Sequence, residues 1–163
     1  MSVETMDRDE DGAEPAERVL EMTRVFDAPR ELVFKAWTEP EHLARWWGCA
    51  MTQVIDVDGF IRPGETFKVK MQLEDGSLHR VRGVCRDFER PERVSFTWAW
   101  EDEDGNLGHE TLVTVTLVDL GGKTELNFRQ ALFETMEMRD LHHEGWSASF
   151  ERLVGFLSAK QAA

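Results

Sequence analysis

Residues 136–160, MEMRDLHHEGWSASFERLVGFLSAK, constrain the fold of this chain more than any other stretch. On a helix of about 3.6 residues per turn, Arg139, His142, Trp146, Phe150, Leu153 and Leu157 fall within one arc. Glu144, Ala148, Glu151 and Arg152 fall away from it. The pattern predicts one long helix with a single buried face. Such a helix must lay its apolar arc against another layer, and the apolar sequence before it reads mostly as strands, so that layer is a sheet. The arc changes character along its length. Phe150, Leu153 and Leu157 make its C-terminal half plain core, whereas Arg139, His142 and, at the edge, His143 make its N-terminal half polar. An apolar face that turns polar at one end reaches either solvent or something bound.

The preceding sequence supplies the sheet. Residues 1–16, MSVETMDRDEDGAEPA, are acidic and poor in large apolar side chains, with Gly12 and Pro15 as breakers; they read as a disordered tail, with the domain spanning 17–163. A partner-binding acidic tail is the functional alternative. ERVLEMTRVF is a first strand, with Leu20, Met22, Arg24 and Phe26 on one side. DAPRELVFKAWTEPEHLARWWG divides into two short helices. Asp27 is expected to cap the first, with Pro29 in its opening turn and Leu32, Val33, Ala36 and Trp37 buried. Thr38 and Glu41 form a capping box around Pro40 for the second, which stops at Gly48.

Strands follow in succession. MTQVIDV leads to a turn at Asp58-Gly59, and ETFKVKMQLED alternates Phe67, Val69, Met71 and Leu73 against Lys68, Lys70 and Gln72. After a tight turn at Asp75-Gly76 come LHRVRGVCRDFE and ERVSFTWAWED, the latter with Val94, Phe96, Trp98 and Trp100 on one face. HETLVTVTLVDL and KTELNFRQAL pair across Gly121-Gly122, with Leu126 and Phe128 sharing a face. The class is therefore α+β: a curved antiparallel sheet of about seven strands wrapped on a long C-terminal helix, with two short helices after the first strand. A space remains between sheet and helix, lined by the inward face of each strand.

Composition removes several function classes. A net charge of -13 argues against binding nucleic acid through its phosphates and against an anionic membrane surface. No run approaches the roughly 20 apolar residues of a membrane span, and no signal-peptide pattern opens the chain. Cys49 and Cys85 have no metal spacing and read as small buried hydrophobes of a cytoplasmic protein. His142 and His143 are adjacent and cannot share a metal on one helix face, and neither sits in a His-Glu-x-x-His frame, so no metal is expected. No nucleophile elbow and no phosphate loop occurs, and no cofactor is expected. The acids from Glu101 to Asp104 read as a solvated loop, and His42, His79 and His109 have no evident role.

Several motifs, in this order, resemble the START-like, or SRPBCC, superfamily with its helix-grip fold. The nearest branch is the one named for homology to the C-terminal domain of the activator of the heat-shock protein 90 ATPase. DAPRELVFKAWTEPEHLARWWG is similar to the family's opening helical pair, ending in its Trp-Trp-Gly signature at Trp46, Trp47 and Gly48. PGETFKVKMQLEDG, GVCRDFERPERVSFTW, GGKTELNF and the late Gly145-Trp146 also fit, so the resemblance spreads over most of 17–160. It implies the fold. Members of the superfamily bind lipids, hormones and polyketides, cyclise aromatic chains or act as co-chaperones, so function must come from the site.

Ten Phe and six Trp with no Tyr provide material for a walled cavity. Trp98, Trp100, Met71, Phe67, Phe128, Trp146 and Phe150 are expected to converge, with Trp47 at the edge and Arg139 and His142 as polar contacts near an opening. Each aromatic alone reads better as packed core, and it is the set, together with the fold that the resemblance implies, that points to a cavity. Three functions remain. The first is binding of a small hydrophobic or aromatic molecule without a cofactor, as a monomer or, as related folds often pair, a homodimer. The second is a polyketide-cyclase-like enzyme in which His142 or an acid moves a proton, with Arg129 or Arg139 stabilising an anion. The third is a co-chaperone domain, which the short stretch before the first strand disfavours, since the full activator carries a further N-terminal domain there.

Overall fold

The computed structural model describes residues 18–48, 52–59 and 61–162. The expected acidic tail and Cys49 lie outside them. In chain order the elements are β1 (Leu20–Phe26), α1 (Arg30–Thr38), α2 (Pro40–Trp46), β2 (Thr52–Asp58), β3 (Thr66–Leu73), β4 (Leu78–Glu89), β5 (Arg93–Glu101), β6 (Thr111–Asp119), β7 (Thr124–Ala131) and α3 (Met136–Ala162). The seven strands form one curved antiparallel sheet in the order β1-β7-β6-β5-β4-β3-β2. After β2 each strand pairs with its sequence neighbour, and β1 closes the far side on β7.

Alternation decides which face of the sheet meets α3. Phe67, Val69 and Met71 are buried on β3, Val113, Val115 and Leu117 on β6, and Leu126 and Phe128 on β7. The register carries that face across the sheet: Met71 lies opposite His79, Val81 opposite Trp100, Trp98 opposite Thr111 and Val113 opposite Gln130. Gly83 lies opposite Phe67, and a Cβ there would stand 2.8 Å from the Phe67 ring and 1.9 Å from the Thr97 carbonyl oxygen. Only glycine lets that ring lie across the strand.

The helix pair departs from expectation at its caps. Pro29, not Asp27, is the N-cap of α1, and Glu39 is the N-cap of α2; neither makes a side-chain capping bond. Thr38 is buried and donates its hydroxyl back to the Phe34 carbonyl at 2.9 Å, so it cannot reach forward to form the expected box. Packing holds the pair instead. Phe34, Trp37, Leu43 and Trp46 are fully buried, and Trp46 donates its indole N–H to the Ala36 carbonyl at 2.9 Å.

The buried face of α3 is wider than the sequence arc and extends round to Arg152. Its guanidinium bonds the carbonyls of Trp47 at 3.2 Å and Thr52 at 2.7 Å, tying the end of α2 and the start of β2 to the helix. Ser149 assists. Its hydroxyl donates to the Gly48 carbonyl at 2.9 Å and accepts the Gly48 N–H at 3.0 Å. Gly48 has φ +106, and a Cβ there would stand 2.4 Å from the Thr52 hydroxyl, so both backbone and space require glycine. No helix among the described residues is long and apolar enough to cross a membrane.

Candidate functional site

The interior between sheet and α3 is solid at one end and open at the other. At the solid end Trp37 packs against Trp46 with ring centroids 4.7 Å apart, against Trp146 at 5.7 Å and against Phe150 at 6.2 Å. Leu153, Phe156 and Leu157 close it. At the open end lies a cavity of about 660 Å³. Its aromatic wall is Trp47, Trp98, Trp100 and Trp146, with Met71, Leu73 and Leu78 from β3 and the start of β4. Met138, Leu141, His142, Gly145 and Ser149 of α3 form the facing side, and His79, Arg80 and Glu101 lie along the strands. A second compartment of about 210 Å³ adjoins it, lined by Gly108, His109, Thr111, Phe133 and Glu134. Trp98, Trp100, Met138 and His142 line both spaces and partition them.

His142 is the hinge of that partition. Its Nε2 accepts the indole N–H of Trp100 at 3.1 Å and of Trp98 at 3.3 Å. An indole nitrogen only donates, so Nε2 must be the acceptor and Nδ1 carries the proton, which it gives to the Met138 carbonyl at 2.8 Å. Burial pushes the imidazole below its ordinary pKa, opposed by the bond to Met138. The ring is thus held neutral in one tautomer with both nitrogens engaged.

A second polar chain crosses the floor. Trp146 donates its indole N–H to Gln130 Oε1 at 2.9 Å, Gln130 Nε2 donates to the Thr111 hydroxyl at 2.8 Å, and Thr111 donates to the Trp98 carbonyl at 3.2 Å. Gln130 is fully buried. A buried amide is tolerated there because its partners are made, and leaving one unmade would cost roughly 1–3 kcal/mol. These bonds fix α3 to β7, β6 and β5 beside the open space.

Residues 27–158 match the family described as Activator of Hsp90 ATPase homolog 1-like protein, AHSA1. The chain belongs to this family. Solved structures agree on the fold. The AHSA1 protein of Silicibacter pomeroyi is 26% identical with a TM-score of 0.82, the match covering 87% of this chain and 99% of that one. A protein from Nitrosomonas europaea is 24% identical with a TM-score of 0.77, over 91% of this chain and 99% of that one. DynU16, from the dynemicin biosynthetic locus, is 20% identical with a TM-score of 0.70, over 86% of this chain and 47% of that one; at that identity the likeness speaks for the fold alone. No curated protein matches the sequence.

Of the residues singled out from sequence, this AHSA1-family domain brings Trp47, Met71, Trp98, Trp100, His142 and Trp146 together around the cavity. Trp47 is not at an edge: it is 1% exposed and touches Phe67, Trp98 and Trp146. Phe67, Phe128 and Phe150 sit in the packed core, Phe67 over Gly83 and the other two against Trp37 and Trp146. Arg139 does not line the cavity. Its guanidinium bonds Asp140 at 2.9 Å, and the neighbouring Met138, itself exposed, lines the cavity instead. Arg129 faces away, since Phe128 and Gln130 on either side of it point inward, and it pairs with Glu21 at 3.6 Å.

Sequence reading passed over Gln130, Ser149 and Arg152, polar residues whose partners are remote in the chain, and also His79, whose ring meets Trp100 at 6.0 Å. Glu101 proves to be the end of β5, its side chain 6% exposed between Arg82 and Lys68 at 3.4 and 3.7 Å. Asp102 does lie in the turn and accepts the N–H groups of Asn106 and Asp104, the bond from Asn106 leading in holding its carboxyl below the usual range. Cys85 is a free, buried thiol that burial pushes up to about 11, far from a reactive value. No group of three or more metal-binding side chains occurs among the described residues.

Proposed function

We propose that this domain binds a small, mainly apolar molecule of aromatic character in the cavity between the sheet and the N-terminal half of α3. One observation carries the reading: about 660 Å³ is left open and walled by four tryptophans and Met71 within a domain whose other half is closely packed. Interiors normally close on themselves to crystal-like density, and apolar clefts of roughly 300–1,000 Å³ are characteristic of small-molecule sites. The indole rings offer flat faces for stacking. A free thiol in the core fits a cytoplasmic setting.

Proton transfer by His142 is the weaker reading. To act as a base its Nε2 would first have to release both indole donors, and Nδ1 already carries the proton held by Met138. Neither Arg129 nor Arg139 lines the cavity to stabilise an anion.

Native mass spectrometry of freshly purified protein, followed by denaturation and identification of what is released, tests the proposal. A defined small molecule leaving with the unfolded chain is the expected result. A clean unliganded mass, together with no tryptophan quenching by a panel of hydrophobic compounds, would overturn it.

A further inference from the structure

Where His142 meets the wall of this cavity, two hydrogen-bond donors share one acceptor. Trp98 and Trp100 aim their N–H groups at one atom, His142 Nε2, at 3.3 and 3.1 Å. A neutral imidazole nitrogen offers one in-plane lone pair, so two donors share what one alone would fill. The longer bond, from Trp98, is the weaker of the two. Trp47, on the same wall and 1% exposed, has an indole N–H with no acceptor among the described residues. Two other acceptors beside the cavity each hold a donor of their own, Gln130 Oε1 that of Trp146 and the Ser149 hydroxyl the Gly48 N–H. Buried donors are normally satisfied, so a surplus of them beside an open space is a feature that a ligand can complete.

Resting on the binding function proposed above, we infer that the ligand is an uncharged aromatic compound carrying a hydrogen-bond acceptor, most simply a ketone or quinone carbonyl, that takes an indole N–H shared with His142. The carbonyl oxygen accepts from one tryptophan while the other keeps the histidine lone pair to itself, so each donor gains a full partner. Charge is disfavoured at this point. The groups meeting there are two indoles, a neutral imidazole and Phe133, whose ring lies 5.1 Å from that of His142, and none of them supplies a cation to balance a carboxylate. The surplus also excludes pure hydrocarbons as the best occupants, since they leave the shared donors as they are.

Fluorene and 9-fluorenone test this, because they share one ring skeleton and differ by one carbonyl oxygen. Each is titrated into the full chain with tryptophan fluorescence as readout, and the indole N–H resonances are followed by NMR. Fluorenone is expected to bind at least tenfold more tightly, and only fluorenone should shift the Trp98 or Trp100 indole N–H signal strongly. Trp98→Phe and Trp100→Phe each remove one donor and leave the other for His142; in each variant fluorenone should bind no more tightly than fluorene does to the same variant, whatever the change in stacking does to both. Equal affinities in the unaltered protein would overturn the inference and leave the binding function standing. A fluorenone preference that survives in both Phe variants would also overturn it, by seating the carbonyl elsewhere. No binding of either compound would remove the cavity reading itself, and this inference with it. The NMR result on the unaltered protein decides the matter even if a variant folds poorly.

Discussion

The two halves of the interior use the same kinds of side chain to opposite ends. Around Trp37 the aromatics use both edge and face, Trp46 meeting it at 74°, Phe150 at 63° and Trp146 stacked at 29°. Around His142 they meet through polar atoms: Trp98, Trp100 and Trp146 each direct an N–H to a named acceptor, which fixes the rings as walls. The helix makes the difference. Its C-terminal turns bury Phe150, Leu153, Phe156 and Leu157, large side chains that fill the space, Phe156 against His42 of α2, whereas its N-terminal turns bring Met138, His142, Gly145 and Ser149 to the cavity. A domain of this size can leave space at one end because the other end is fully packed. Dispersion and burial stabilise the solid half, and directional bonds preserve the shape of the open one.

That contrast can be broken most strongly at its solid end. Trp37→Ala removes a fully buried indole from the centre of the aromatic cluster and is expected to cost about 3–5 kcal/mol in chemical denaturation, enough to unfold a marginal domain. A loss under about 1 kcal/mol would mean that the cluster is not the stabilising half. At the open end the expected order reverses. Gly145 lines the cavity, and a Cβ built there meets nothing within 4 Å, so Gly145→Leu should fill space without a clash. Stability should hold or rise by up to about 1 kcal/mol, from better helix propensity, while affinity for a hydrophobic probe falls roughly tenfold or more, about 1.4 kcal/mol. Unchanged probe binding would remove Gly145 and its surroundings from the site.

The gentlest test is pH. His142 is depressed below its ordinary value of about 6.5. Above that value both folded and unfolded chains carry it neutral, and it contributes nothing to the slope. As pH falls below it, the unfolded chain takes the proton first, so stability declines until the folded value is reached and then levels. Denaturation of the native protein and of His142→Phe across pH 7 to 5 should therefore diverge, the native form losing more. Parallel curves would show that the imidazole is not held neutral by the partition.

Much of the fold was legible because it is written in local periods. Alternation marked Phe67, Val69 and Met71 as one face, the 3.6-residue period placed Trp146, Phe150 and Leu153 on another, and turn glycines separated the strands. The same reasoning failed where a local rule had a competitor. Thr38 and Glu41 satisfy the pattern of a capping box, yet Thr38 is buried and bonds backward to Phe34. Arg152 falls outside the apolar arc, yet it turns inward because two carbonyls await it.

By itself the sequence determined the order of strands and helices, the antiparallel sheet and the long helix laid across it, since those follow from side-chain spacing along a few residues. It also marked the polar turn of that helix at His142. Only the tertiary structure decided which aromatics fill the core and which stand as walls. Phe67, Phe128 and Phe150 are indistinguishable in sequence from Trp98 and Trp100, and their roles depend on what faces them across the sheet. The partners of His142 come from β5, more than 40 residues earlier in the chain. Such a meeting of one lone pair with two donors depends on register and helix rotation together, and no local pattern encodes it.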